Sequence, residues 1–187
     1  IPAIGVPAHS RPPAGYITPH LAARPDVSLE WTGAGLLDPA PSTGSMQRGH
    51  IAIRRLYYGY NPASLFLRLE LNEPLAPYQV AVYLAVPGRG RTNRRVRFAD
   101  TSPFLTSGDA GWTWEILVQP GHHDAVLHRA DGQEVWRPAA TVTSVAVGER
   151  TVEVAASLKG LGLEMGDTTG LVVTLARDDL LVEALPT

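Results

Sequence analysis

The chain contains no cysteine among its 187 residues. This absence excludes disulfide frameworks, zinc sites built from thiolates and cysteine nucleophiles. Lysine is almost absent as well, since Lys159 is the sole example and every other basic residue is an arginine. We interpret that bias as a codon preference or as an adaptation to heat, typical of some thermophile families.

Long apolar runs are also missing from the sequence. No stretch approaches the roughly 18 residues needed to cross a membrane, and the first twenty residues carry proline, arginine and histidine where a signal peptide has its apolar segment. We therefore expect a water-soluble domain that does not enter a membrane, while its location stays open. Because the chain begins at Ile1 and not at methionine, we expect a piece of a larger polypeptide.

The charges are unevenly distributed although the formal net charge is only -2. Arginines are concentrated in the middle of the chain, above all in GRGRTNRRVRF, and acidic residues in the last third. Such a run could follow a nucleic-acid backbone, but Phe98 is the one aromatic residue near it, and single-strand binding normally requires aromatic rings between the basic residues. Alternation in this segment instead predicts a strand at Arg94–Phe98 with a solvated arginine face, so we expect no nucleic-acid partner.

The spacing of apolar residues predicts an all-β fold. Residues 1–28 are rich in proline and glycine and lack a hydrophobic period, which indicates an extended linker or strap from a preceding domain. Residues 29–187 predict a single antiparallel β-sandwich with jelly-roll or immunoglobulin-like layers and at most one or two short helical turns, the clearest at Ser157–Leu163. The predicted strands are His50–Tyr60, Leu65–Leu71, Gln79–Val86, Arg94–Phe98, Trp112–Val118, Ala125–Arg129, Val142–Val147, Thr151–Ala155, Leu171–Ala176 and Leu180–Ala184.

A leucine ladder defines the inner face of one predicted hairpin. Alternate residues of SLFLRLEL are leucines, so they share one side of the strand, while Phe66, Arg68 and Glu70 occupy the other. Across the Asn61-Pro62 turn, Tyr58 belongs to the same inner face. Tyr57 points the opposite way, and we expect its ring to be exposed.

Motifs of hydrolytic and transfer enzymes are absent. The sequence has no GxSxG, no HExxH, no phosphate-binding loop and no dinucleotide fingerprint. Adjacent histidines in His122-His123-Asp124 point to opposite sides of an extended segment, so we interpret this cluster as a solvated hairpin loop and not as a metal site. Asp100 and Asp109 are candidates for a structural calcium site completed by backbone carbonyls.

Aromatic residues are the most informative candidates for binding. Trp31, Tyr57 and Trp136 lie near loops or on an outward face, where rings can stack on the apolar C–H faces of sugars. Such platforms need polar groups at the rim, and Arg55 and Asp38 are the candidates for that role. Trp112 and Trp114 share a strand with apolar neighbours, and we expect both in the core.

Four stretches together resemble a known family: EWTGAGLLD, GSMQRG, IRRLYYGYNPASLFLRLEL and VEVAASLKGLGLEMGD, with the closing LVEALP. They look like the C-terminal accessory domain of family 57 glycoside hydrolases, which is similar to the glucodextranase C-terminal module and to DOMON-like and family 9 carbohydrate-binding sandwiches. Asn61, Phe66 and Ser157 depart from the Asp, Tyr and Pro that are commoner in that group. The resemblance implies a noncatalytic module that binds carbohydrate for an α-glucan-active hydrolase.

Two alternatives remain open within this resemblance. The domain could be a structural partner that docks on the catalytic barrel of the same polypeptide and binds no free sugar. DOMON-like domains include haem binders, and Met46 with His50 represents that alternative, as the arginine run represents polyanion binding. The sequence identifies no certain cofactor, and structural calcium is the candidate considered.

Overall fold

Two antiparallel sheets form the molecule, and they confirm the predicted all-β sandwich. The computed structural model describes residues 10–27, 29–39, 51–86, 88, 90–98, 111–140 and 143–185. Its strands are β1 (Gly35–Leu37), β2 (Ile53–Tyr60), β3 (Ser64–Leu71), β4 (Gln79–Ala85), β5 (Trp114–Val118), β6 (Val126–Ala130), β7 (Trp136–Pro138), β8 (Thr143–Val147), β9 (Thr151–Ser157), β10 (Gly170–Arg177) and β11 (Leu180–Leu185).

The order of strands places neighbours in sequence beside each other at most positions. The five-stranded sheet has the order β1-β2-β3-β9-β8, and the six-stranded sheet has the order β11-β10-β4-β5-β6-β7. Both sheets leave short strands at their edges, because β1 and β7 each have three residues. Neither of these two strands was predicted from the sequence, since three residues are too few to establish alternation.

The main core lies between the two sheets. The leucine ladder of β3 points into it as predicted, with Leu67, Leu69 and Leu71 buried and Leu65 packed at its margin. Opposite them stand alternate residues of β4, β5 and β10, including Val82, Ile116 and Val173. Each such aliphatic side chain contributes roughly 1.5–3 kcal/mol when fully removed from water, so this interface dominates the stability of the fold.

The β2–β3 hairpin is closed by an asparagine. The side-chain oxygen of Asn61 accepts the backbone N–H groups of Ala63 at 2.9 Å and Ser64 at 2.8 Å, an arrangement in which the side chain replaces part of a backbone turn. The resulting register pairs Tyr60 with Leu65. The asparagine therefore closes the turn itself.

One short helix, α1 (Leu158–Leu161), follows β9 within the predicted helical turn. Ser157 caps its start, because the hydroxyl accepts the N–H of Gly160 at 3.2 Å. Gly162 ends it in the left-handed conformation with φ 72°, which glycine adopts without steric cost. No helix in the described segments is long and apolar enough to span a membrane.

Residues 10–27, which we call the strap, lie along the outer face of the five-stranded sheet. Arg11 forms an isolated bridge with Leu36 of β1, and the N–H of Ile17 donates to the carbonyl of Tyr60 at 3.1 Å. Ile17 is buried above Gly59, where an added Cβ would lie 2.6 Å from its Cδ1 atom. The glycine therefore provides the space in which the strap seats its side chain.

The predicted strand at Arg94–Phe98 is wrong. Residues 90–98 form turns, with an isolated bridge between Asn93 and Trp112. The N–H groups of Arg94 and Arg95 donate to the carboxylate of Glu134, so they are not available for a sheet. The segment is a loop that packs one of its sides against the six-stranded sheet. Its apolar and basic residues therefore alternate as they would in a strand.

Candidate functional site

Trp31 and Tyr57 come together, but beneath the strap. Trp31 lies in a 3-10 turn at Leu29–Trp31 and is 2% exposed, and its ring centroid is 6.5 Å from that of Tyr57. Ile17 and Phe66 complete this cluster on the outer face of the five-stranded sheet. The expectation that Tyr57 is exposed is therefore wrong, because the strap covers the face to which it points.

Trp136 is buried on the opposite side of the molecule. Its ring packs against Tyr83 with centroids 5.3 Å apart, on the outer face of the six-stranded sheet. Trp112 is buried in the same cluster and Trp114 in the main core, which confirms the prediction that both are core residues. Since Trp31 and Tyr57 belong to the other sheet, the three predicted platform residues do not form one site, and none presents an open ring face.

The two predicted rim residues do meet. Arg55 of β2 donates from Nε to the carboxylate of Asp38, just after β1, at 3.1 Å. The hydrogen bond with Tyr57 and the nearby charge of Asp38 raise the pKa of Arg55 against the opposing effect of burial. This pair stabilises the edge of the five-stranded sheet beside a buried ring, so it has no exposed platform to border.

A buried ion network lies under the strap. Arg68 is 1% exposed and donates to Glu153 from Nη1 at 2.5 Å and to Glu70 from Nε at 2.9 Å. The second oxygen of Glu153 accepts the N–H groups of Ala22 at 2.7 Å and Ala23 at 2.8 Å. The hydrogen-bonding groups of Arg68, Glu70 and Glu153 are thus occupied in the network that attaches the strap to the sheet.

A second network is centred on Glu115 of β5, whose side chain is fully buried. Arg97 donates to both carboxylate oxygens, from Nη2 at 2.8 Å and from Nε at 2.7 Å. The Tyr83 hydroxyl adds a hydrogen bond at 2.8 Å. Burial raises the pKa of Tyr83, and the charge of Glu115 adds to that effect, so the hydroxyl keeps its proton and acts as a donor.

His128 borders the same network. Its Nδ1 atom lies 3.0 Å from a carboxylate oxygen of Glu115 but forms no hydrogen bond with it. Burial lowers the pKa of His128 although the charge of Glu115 opposes this. The imidazole is therefore held in its neutral form near neutral pH.

These two networks hold loops against the sheets. Their carboxylates accept arginine, tyrosine or backbone donors. Within the described ranges no three histidine, aspartate or glutamate side chains converge as metal ligands. His122 and Asp124 are exposed and 3.6 Å apart at a hairpin turn.

Several sequence candidates lie outside the described residues. They are the calcium candidates Asp100 and Asp109 and the haem candidates Met46 and His50. The calcium site and the haem site therefore stay predictions from the sequence.

An exposed aromatic pair is present that sequence reasoning did not select. Among the described residues, Tyr16 is 63% exposed and Tyr60 is 40% exposed, and their rings meet edge to face with centroids 5.7 Å apart and an interplanar angle of 69°. Tyr60 ends β2, and Tyr16 comes from the strap. The tyrosines are 44 positions apart in the chain, and nothing in the local sequence indicates that the strap returns to the hairpin.

Comparison with known proteins assigns no family. Neither the scan against protein-family models nor the search of curated proteins finds a match.

Proposed function

We propose that this domain is a noncatalytic carbohydrate-binding accessory module of an α-glucan-active glycoside hydrolase. The observation that carries the proposal is the exposed pair formed by Tyr16 and Tyr60. In an edge-to-face pair, one ring leaves both of its faces free of its partner. Sugar rings present apolar C–H faces that stack on such surfaces, and the sequence resemblance points to the same class of ligand.

The tyrosine pair is held in place before any ligand arrives. The backbone of Tyr60 is fixed by the β2–β3 hairpin, and the adjacent Ile17 donates to its carbonyl at 3.1 Å. Beside the pair, the side-chain amide of Asn61 donates to the Thr18 hydroxyl at 3.1 Å, so polar groups lie at the margin of the rings. A preformed platform loses little conformational entropy on binding, which favours even weak ligands.

Affinity electrophoresis tests this function. We expect the protein to be retarded in gels that contain starch, glycogen or pullulan, to migrate normally in gels that contain cellulose derivatives, and to release no reducing sugar. Tyr60→Ala should abolish the retardation, whereas the control Val126→Ala, which truncates an equally exposed apolar side chain on the six-stranded sheet, should leave it unchanged. Normal migration of the wild-type protein in every glycan gel would overturn the proposal.

Docking on the catalytic domain of the same polypeptide is the second candidate function. It is favoured by Leu180 and Val182, which are 70% and 46% exposed on the edge strand β11, since exposed apolar edges are typical of contact surfaces. In the full polypeptide, Leu180→Asp with Val182→Asp should then lower the melting temperature of the catalytic domain. The same pair should leave the melting temperature of the isolated accessory domain unchanged.

A further inference from the structure

A cavity of about 570 Å³ opens beside the outer face of the six-stranded sheet. We call it the arginine cavity, and the lining residues that matter here are Arg94, Arg95, Arg97, Phe98, Glu134 and Trp136. Arg97 is neutralised by its ion pair with the buried Glu115, so Arg94 and Arg95 stand beside Glu134 at the wall. Such a surface favours an anion.

The cavity already binds one carboxylate, and that carboxylate belongs to the protein. The Glu134 side chain accepts the N–H of Arg94 at 2.8 Å and that of Arg95 at 3.0 Å. Two successive backbone N–H groups that point to the same place form a concave anion site. Because Glu134 is exposed, an external carboxylate can compete for these donors.

The loop that forms the wall is anchored from below. Arg97 is held on both oxygens of the buried Glu115, and its own N–H donates to the Tyr83 hydroxyl at 3.1 Å. These contacts fix the segment that carries Arg94 and Arg95. The backbone donors therefore keep their direction when the Glu134 side chain leaves.

Two of the five described non-glycine residues with positive φ line this cavity. Glu134 has φ 61° and Phe98 has φ 59°, a left-handed conformation that is sterically unfavourable for both side-chain types. Residues in such conformations persist where the surrounding structure enforces them and are enriched at ligand sites. At Glu134 the turn is enforced by Asp131, whose carboxylate accepts the N–H groups of Gln133 and Val135.

We propose that the arginine cavity binds a small organic carboxylate. The ligand's carboxylate replaces that of Glu134 on the N–H groups of Arg94 and Arg95, and its apolar body lies against Phe98 and the exposed Val135. The proposal is independent of the carbohydrate platform, because the tyrosine pair belongs to the opposite sheet. Glu134 acts as an internal occupant that sets the affinity.

Titration of the isotope-labelled protein tests this site, with benzoate as the probe and benzamide as its neutral analogue. Benzoate should shift the backbone amide signals of Arg94 and Arg95 in a saturable manner, while benzamide should not. Glu134→Gln weakens the internal acceptor and should raise the affinity for benzoate several-fold. Glu134→Gly removes the acceptor, suits the left-handed backbone and should raise the affinity further.

The matched control is Glu149→Gln, an exposed glutamate in a turn between β8 and β9. It changes the net charge by the same amount and should leave the affinity for benzoate unchanged. Equal responses to benzoate and benzamide would overturn the proposal. So would an affinity for benzoate that is the same in the wild-type protein and in both Glu134 variants.

Discussion

Glutamate side chains that accept two consecutive backbone N–H groups recur in this protein at the scale of single residues. In each case the glutamate lies far along the chain from the segment that it holds: Glu153 holds residues 22–23, Glu183 holds residues 52–53 and Glu134 holds residues 94–95. Hydrogen bonds to charged acceptors are roughly twice as strong as neutral ones. A few carboxylates therefore position two irregular segments and the start of β2.

His128 should make the stability of the protein depend on pH. Burial holds its pKa below the ordinary value of 6.5 in the folded state, so below that pH the unfolded chain binds more protons than the folded one, and the free energy of unfolding decreases. Urea unfolding measured from pH 8 downwards should show this loss beginning near pH 6.5. His128→Gln should lessen the dependence, whereas His123→Gln, at an exposed position, should retain it.

The strap is the element whose packing most changes the interpretation of the sequence. It covers Trp31 and Tyr57 and closes the ion network of Arg68. Both sets of residues would be outward facing if the five-stranded sheet stood alone. Their roles follow from a contact between the strap and a distant strand.

Gly59→Val should displace the strap. A Cβ at this position would lie 2.6 Å from Ile17 Cδ1, and overpacking of this kind costs about 1–3 kcal/mol. Urea unfolding should show that loss, and the additional change Ile17→Ala should recover part of it in a double-mutant cycle. Gly15→Ala, where a Cβ meets nothing within 4 Å, is the control. Equal stability of Gly59→Val and the wild type would show that the Ile17 side chain is not tightly packed against Gly59.

Strands were predictable where side chains alternate between core and outside over five or more residues. The hairpin of β2 and β3 and the central strands β4, β5 and β10 follow that rule, and turn residues mark their ends. The sequence failed at Arg94–Phe98, because a loop anchored through Arg97 has the same alternation as a strand. The prediction of exposed aromatic platforms was also wrong. The alternation of a strand shows the direction in which the Tyr57 side chain points, but not which segment covers it.

At the scale of the whole molecule, the sandwich has a rigid centre and weaker margins. Central strands bond to neighbours on both sides and face the main core, while β1, β7, β8 and β11 have a neighbour on one side within their sheets. The free energy needed to open a hydrogen bond locally rises with this burial and pairing.

Hydrogen exchange should therefore divide the molecule in two. The amides of Val82, Ile116 and Val173 should be the slowest to exchange, while those of β1, β7 and β11 should exchange much faster, because these strands have a neighbour on one side only within their sheets. Mass spectrometry or NMR can measure both groups. Uniform protection across the two sheets would instead mean that the sandwich opens only as one cooperative unit.

The attachment of the strap to Glu153 also has a consequence for how the protein is made. The N–H of Ala22 and the carboxylate that receives it are separated by 131 positions, and a ribosome adding about 5–20 residues per second needs roughly 7 to 26 seconds to synthesise that length. During this interval Ile17 can already pack on Trp31, Tyr57 and Phe66, whereas the N–H groups of Ala22 and Ala23 still lack their acceptor. The end of the strap at residues 22–23 therefore reaches its final position only after β9 has been synthesised.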